Sequence, residues 1–213
     1  MRNFLLSSLI LLLLLTGCAS LKPKGLKPCF GTAPTRECLQ SPFHAHFDKM
    51  LFKATLDIRK EHLTGLMLFK TMPDSSIRIV FTNEIGMTFF DFIMKDGTFK
   101  TGYCFEPMNR KPVISIFRTC YELMLTYDVQ KGDYLVFCEM STGNPVSQAQ
   151  FRKYRTWAGQ LGDEPRSAFI NGMSNFSDQT YISFTDYHGE VPYSVTIVNP
   201  FIDLKIRLQM ISF

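Results

Sequence analysis

Hydrophobic positions recur along this chain in three different ways, and each predicts a different kind of element. The first twenty residues carry a block of apolar side chains, Phe4 to Leu15, whose last part, Leu9 to Leu15, is made of Leu and Ile alone. Ser41-Pro42 then reads as a helix N-cap with proline at the first helical position, and Phe43, Phe47, Met50 and Leu51 follow at helical spacing, which predicts a short leading helix. Beyond it the period drops to two. Strands are predicted over Leu51 to Ile58, His62 to Thr71, Ser76 to Asn83, Met87 to Lys95 and Thr98 to Glu106, joined as a meander, with Asp96-Gly97 a strong two-residue turn. Gly65 and Gly86 mark a bulge or bend that would help such a sheet curl.

The helical period returns from Lys111 to Tyr127, where Pro112 suits the first turn and Val113, Ile116, Phe117, Cys120, Leu123 and Met124 form one apolar face. Six more strands are predicted over Tyr134 to Met140, Phe151 to Ala158, Ser167 to Met173, Thr180 to Tyr187, Tyr193 to Val198 and Asp203 to Ile211. The last is the cleanest, with Leu204, Ile206, Leu208 and Met210 alternating with Lys205, Arg207 and Gln209. The expected fold is therefore mainly β with a few helices. It is a large curved antiparallel sheet of about eleven strands, closed into a barrel or left as an incomplete β-barrel, wrapped around one or two helices.

The N-terminal block is too short to span a bilayer, which takes about 20 apolar residues. Preceded by Arg2 and followed by small residues, it is an export signal. Leu15-Thr16-Gly17-Cys18 resembles the lipobox of bacterial lipoproteins. The resemblance implies a signal peptide of residues 1–17, cleavage before Cys18 and lipid on that thiol. Two or more acyl chains anchor stably where one does not. Ala19 and Ser20 place no aspartate after the cysteine, which by the sorting rule of the resembled proteins implies lipid anchoring in the outer membrane, facing the periplasm. Residues 18–41, rich in Lys, Pro, Gly and Thr, read as a lipidated tether, and residues 42–213 as a single domain.

Composition narrows the function. The formal charge of +4, +3 once Arg2 is lost, is too small for a nucleic-acid partner and too diffuse for a polybasic membrane patch. Cys29, Cys38, Cys104, Cys120 and Cys138 allow at most two disulfides in an oxidising compartment; Cys29 and Cys38 are the easiest to join, and the other three fall in apolar stretches. No C-x-x-C, Walker or G-x-S-x-G sequence occurs, so no zinc knuckle, cofactor or common hydrolase site is expected, although a triad of scattered residues stays a remote alternative. His44-Ala45-His46 is the single close histidine pair and would hold a metal only on a strand. Asn83-Glu84 with Gly86 reads as a turn, and Arg152, Lys153 and Arg155 as a solvated strand with some capacity for anionic head groups.

With 20 Phe and 8 Tyr, the chain needs a place to bury aromatic rings. A packed core is the plainer account; an apolar concavity for an acyl chain is the sharper one. Leu63-Thr64-Gly65-Leu66-Met67-Leu68, Ile77-Arg78-Ile79-Val80-Phe81, Gly86-Met87-Thr88-Phe89-Phe90-Asp91-Phe92 and Ile202-Asp203-Leu204-Lys205-Ile206-Arg207-Leu208, with Gly65, Arg78 and Gly86 in order, resemble the LolA/LolB-like fold of lipoprotein carriers and receptors. The resemblance implies an incomplete barrel with helices over its concave side, binding acyl chains of lipids or lipoproteins without covalent chemistry. The side chains expected to line the cavity are Ile77, Ile79, Phe81, Phe90, Phe92, Phe99, Tyr103, Phe105, Leu204, Ile206, Leu208 and Met210. A non-catalytic lipid- or lipoprotein-binding module, possible in lipoprotein transfer or localisation, is the leading expectation. A structural adaptor with a filled core, binding a protein partner in the cell envelope, is the alternative.

Overall fold

The computed structural model describes residues 25–29, 34–44, 47–130, 133–162, 168–173 and 179–212. Its strands are β1 (Leu26–Pro28), β2 (Lys49–Ile58), β3 (Glu61–Thr71), β4 (Ile77–Thr82), β5 (Thr88–Lys95), β6 (Thr98–Cys104), β7 (Tyr134–Glu139), β8 (Pro145–Phe151), β9 (Tyr154–Gln160), β10 (Ala168–Met173), β11 (Gln179–His188), β12 (Val191–Asn199) and β13 (Leu204–Ser212). Among the described residues one α-helix, α1 (Lys111–Thr126), stands between β6 and β7. All thirteen strands join a single antiparallel sheet in the order β1-β7-β8-β9-β10-β11-β12-β13-β2-β3-β4-β5-β6.

This order follows from two meanders and one seam. Strands β2 to β6 run outward to one edge; α1 carries the chain back to the other edge, where β7 to β13 return and β13 pairs with β2. The seam is in register, Leu204 against Ile58 and Ile206 against Leu56, because both strands bury every second side chain on the same face. Strands β1 and β6 end the sheet and do not pair, so the barrel stays open. Register shifts at Phe81/Thr82, Asp91/Phe92 and Met210/Ser212 add local twist, which curls the sheet around α1.

Gly65 has a definite task in that curl. A Cβ there would collide with the carbonyl of Thr82 and lie 2.8 Å from Cα of Asn83, so β3 passes the end of β4 closer than any other residue allows. Asp96 and Gly97, at φ 46° and 74°, form the expected two-residue turn between β5 and β6.

The structure departs from the sequence expectation in four places. No helix leads the domain among the described residues: Pro42 and Phe43 form a turn and β2 begins at Lys49. Ser41 does accept the Phe43 N–H at 3.1 Å, as an N-cap would, but its hydroxyl donates onward to the Met124 carbonyl. Phe43 and Phe47 are buried from a loop, and Met50 belongs to a period-two strand, so their helical spacing is coincidental. Secondly, thirteen strands rather than about eleven fall among the described residues. The stretch Phe151 to Ala158, expected as one strand, is the end of β8, a turn at Arg152-Lys153 and most of β9; Arg152 adopts φ 54° without the glycine or asparagine that usually announces such a turn. The third departure is that the described part of the supposed tether, residues 25–29 and 34–41, packs on the sheet. β1 pairs with β7, the Leu39 carbonyl accepts from Val129 at 2.7 Å, and Cys38 is fully buried against β9 and β10. Fourthly, Tyr103, proposed as a cavity residue, is half-exposed on the outer face, because the bulge at Asp91/Phe92 turns it opposite Asp91. Residues 1–17, expected as a signal segment, and Cys18, expected to carry lipid, lie outside the described residues.

Candidate functional site

The concave face of the sheet is where the candidate residues meet. Ile79, Phe81, Phe90, Phe92, Leu204, Ile206, Leu208 and Met210 all point inward and are buried, while Ile77, Phe99 and Phe105 are partly buried against them. Ile79, Phe81, Phe90, Phe92 and Ile206 expose none of their surface, so no water-sized hollow touches them. The space is taken by α1. Phe117 lies 5.3 Å from Phe90 and 5.8 Å from Phe92 between ring centroids, and Tyr121 lies 5.7 Å from Phe69. Phe90 and Phe92 stack on each other at 4.6 Å. Such contacts make a close-packed aromatic core rather than a vacant one.

Across the concavity the helix seats on β10. Gly172 provides the clearance: a Cβ there would run into the Leu123 side chain, whose Cγ stands 3.3 Å away. Thus α1 touches both halves of the sheet, β3 to β5 through Phe117 and Tyr121, and β9 to β10 through Glu122 and Leu123.

Glu122 is the one charged residue buried in the described core, at 1% exposure, and sequence periodicity hid it among apolar neighbours. Tyr154 Oη donates to its Oε2 at 2.6 Å. Arg118 Nε and Arg152 Nη1 donate to Oε1 at 3.0 and 3.3 Å. Arg118 also donates to the Gly97 carbonyl, and Thr119 Oγ1 lies 3.4 Å from Tyr154 Oη. One carboxylate therefore ties α1 to the β8–β9 turn, and its partner arginine reaches the β5–β6 turn. The left-handed backbone at Arg152 aims that guanidinium inward, which the solvated-strand reading of Arg152 and Lys153 missed. Every Glu122 oxygen has a donor, so the buried carboxylate fastens α1 to the β8–β9 turn.

Burial pushes the Tyr154 phenol well above its usual range, and the hydrogen bond to Glu122 pushes it further the same way; burial also raises Tyr121, Tyr127 and Tyr181. Above the ordinary tyrosine pKa of 10.0 the unfolded chain loses these protons while the native chain keeps them, so stability is full below pH 10 and falls as pH rises beyond it. Melting temperatures taken between pH 8 and pH 11.5, about two units around that value, are expected to drop steeply in the upper half of the range. In Tyr154→Phe the drop should be shallower.

Five cysteines fall among the described residues. Cys29 pairs with Cys138, Cα to Cα 5.4 Å, not with Cys38 as sequence proximity suggested. The register of β1 on β7 explains this: Lys27 stands opposite Cys138 and Pro28 opposite Phe137, which brings Cys29 beside the β7 edge. Cys38 instead enters a 3-10 turn, where its Sγ donates to the Pro145 carbonyl at 3.4 Å and its own carbonyl accepts the Ser147 hydroxyl. Cys104 and Cys120 are buried thiols, and burial pushes Cys104 up to about 11.

The remaining candidates sit apart from the core. His44 Nε2 lies 3.3 Å from Asp128, and His46 is outside the described residues; no group of three or more His, Cys, Asp or Glu able to hold a metal occurs among the described residues. Asn83 to Met87 is the expected turn, with Asn83 Oδ1 accepting the Met87 N–H at 2.7 Å and Gly86 at φ 87°. Arg78 faces outward in a paired contact with Asp91, 3.0 and 2.6 Å, and does not reach α1. Exposed apolar side chains occur on turns, with Ile85 (91%) and Met87 between β4 and β5, Phe201 between β12 and β13 and Met140 just after β7, and on strands, with Leu66, Ile93, Tyr103, Leu135 and Ile211. An open depression of about 330 Å³ on the outer face of β7 to β9 is lined by Asp133, Leu135, Gln148, Gln150 and Arg155 among others. Among the described residues no helix is long and apolar enough to cross a membrane.

No family model matches this chain, nor does any curated protein, so the functional reading rests on the geometry of the filled half-barrel and its exposed turns.

Proposed function

We propose that this chain is a lipid-anchored protein of the outer membrane, attached through Cys18 and facing the periplasm, whose half-barrel is a non-catalytic adaptor for a protein partner in the cell envelope. The observation that supports the adaptor over a carrier is the filled concavity: Ile79, Phe81, Phe90, Phe92 and Ile206, five of the side chains nominated to line a hollow, expose no surface, and Phe90 and Phe92 pack on Phe117 of α1. A partner would then be met on the outside, where Ile85, at 91% exposure, and Phe201 present apolar surface on turns.

A lipid-binding module, holding acyl chains of lipids or lipoproteins, is the second reading. It requires α1 to vacate the concavity, and the Glu122 contacts are what such an opening would break. Purification of the native protein from membranes followed by mass spectrometry separates the two. The adaptor is expected to carry only the acyl chains on Cys18, with Cys18→Ala released from the membrane fraction, and a photo-crosslinker at Ile85 should trap one defined protein in cells. Phospholipid or lipoprotein recovered at one per chain would replace the adaptor by the carrier.

A further inference from the structure

We propose that the outer face of β2 to β6 carries a basic docking row for an acidic surface of a protein partner. The inference rests on the adaptor reading above and names the chemistry of that partner.

Register assembles the row. Lys49 stands opposite Lys70, Lys70 opposite Arg78, Arg78 opposite Ile93 and Ile93 opposite Lys100. Cross-strand partners share a face, and each of these side chains is exposed. Strands lie about 4.8 Å apart, so the steps from β2 to β6 make a line about 19 Å long. The positions are far apart in the chain, which is why the charge looked diffuse in the sequence. Like charges set directly opposite one another destabilise a sheet. Elsewhere on this face the pairing avoids that cost, with Lys205 opposite Asp57 and Lys53 opposite Gln209 and Leu66. The run from Lys49 to Arg78 works against the fold, and an anionic partner offsets it.

The balance of charge selects the sign. Arg78 is held by Asp91, and Lys95 by Asp74, which also accepts from the Ser76 hydroxyl. Lys49, Lys53, Lys70 and Lys100 enter none of the ion pairs among the described residues. The other carboxylates at this end of the strands are Asp48, just before β2, and Asp96 in the β5–β6 turn, both exposed. With all of them counted, the cations still outnumber the acids.

The form of the face favours a protein over a bilayer. In the next row along the strands Leu51, Leu68 and Val80 are half-buried, and Ile93 and Leu66 are only 38% and 37% exposed, whereas entry into an acyl layer takes a well-exposed apolar face. Tyr103, half-exposed opposite Asp91, offers the aromatic contact that protein interfaces favour. The row is also continuous with the apolar turn assigned to the partner. β4 carries Arg78 and ends at Thr82, about 13 Å along the strand, and the turn bearing Ile85 and Met87 follows. A standard interface covers about 800 Å² on each side, enough for both.

The test is made in cells with the full-length chain. A photo-crosslinking residue at Ile93 is expected to trap the same protein as one at Ile85, through a segment rich in Asp and Glu when the adduct is mapped by mass spectrometry. Lys70→Glu with Lys100→Glu should cut the yield at both positions by about tenfold or more. Lys27→Glu with Lys153→Glu, the same change in net charge away from the row, should leave the yield unchanged. Both pairs should melt no lower than the wild type. Lys100→Gln, a single change on the exposed edge strand, is expected to lose about threefold. An adduct through a neutral or basic segment, or equal loss in the two paired variants, overturns the row and leaves the adaptor standing while Ile85 still traps its protein. Lipid adducts alone at Ile93 assign the row to the bilayer and also overturn it. No protein adduct at either position overturns the adaptor and this inference together.

Discussion

Replacing Cys138 by Ser is expected to lower the unfolding free energy by about 2–4 kcal/mol. The Cys29–Cys138 bridge joins positions separated by 109 residues, and a cross-link over a loop of that length removes much of the freedom of the unfolded chain. Its native geometry is set by a strand that cannot hold itself: β1 has three residues and pairs only with β7. Losing the bridge should therefore cost stability twice, once by freeing the denatured ensemble and once by letting β1 fray from the sheet edge. Denaturant titrations of the wild type with and without reductant, beside Cys138→Ser, would measure it. Reductant should destabilise the wild type to the level of the variant and leave the variant unchanged. A difference under about 1 kcal/mol would show that the bridge constrains little, against the usual behaviour of long-loop disulfides.

The fastening at Glu122 carries the other large effect. Changing Arg118 and Arg152 together to Met is expected to cost about 3–5 kcal/mol, because it leaves a carboxylate at 1% exposure with no positive partner. Each single change should cost less than half of that, since the remaining guanidinium still meets Oε1, and the double variant should exceed the sum of the singles. Glu122→Gln should be milder, about 1–2 kcal/mol, because both arginines are about one-third exposed and water can solvate them once the carboxylate is gone. A double-mutant cycle on urea unfolding gives these values. The same variants bear on function: if α1 swings out to admit acyl chains, the double variant should bind a fluorescent fatty acid that the wild type does not, whereas an adaptor with a permanent core should lose stability without gaining that binding.

Legibility in the sequence followed burial. Strands β2 to β5 and β13 were visible because one face is wet and the other dry, so the pattern alternates cleanly, as in Leu204 to Met210. The apolar face of α1 was visible for the corresponding reason at a period of 3.6. Strand β8 was not, since Val146 and Ser147 are both buried and the turn at Arg152-Lys153 lacks glycine, which erases the alternation and its punctuation together. The leading helix was a false reading of four apolar residues whose spacing comes from a loop followed by a strand. Among the cavity candidates, inward direction was legible for all but Tyr103. Whether those side chains face a void or one another was not, because periodicity reports a dry face and says nothing of what covers it.

What the linear order of residues determined by itself is the curved antiparallel sheet, its single long helix and the lipobox resemblance at Cys18, because periods of two and 3.6 and short motifs are local properties of the chain. Only the tertiary structure decided which cysteines pair, where Glu122 finds its donors, and that the concavity is filled. Each of these depends on groups apart in sequence: Cys29 and Cys138 meet through the register of β1 on β7, and Arg152 reaches Glu122, 30 positions away, only when α1 lies against the β8–β9 turn.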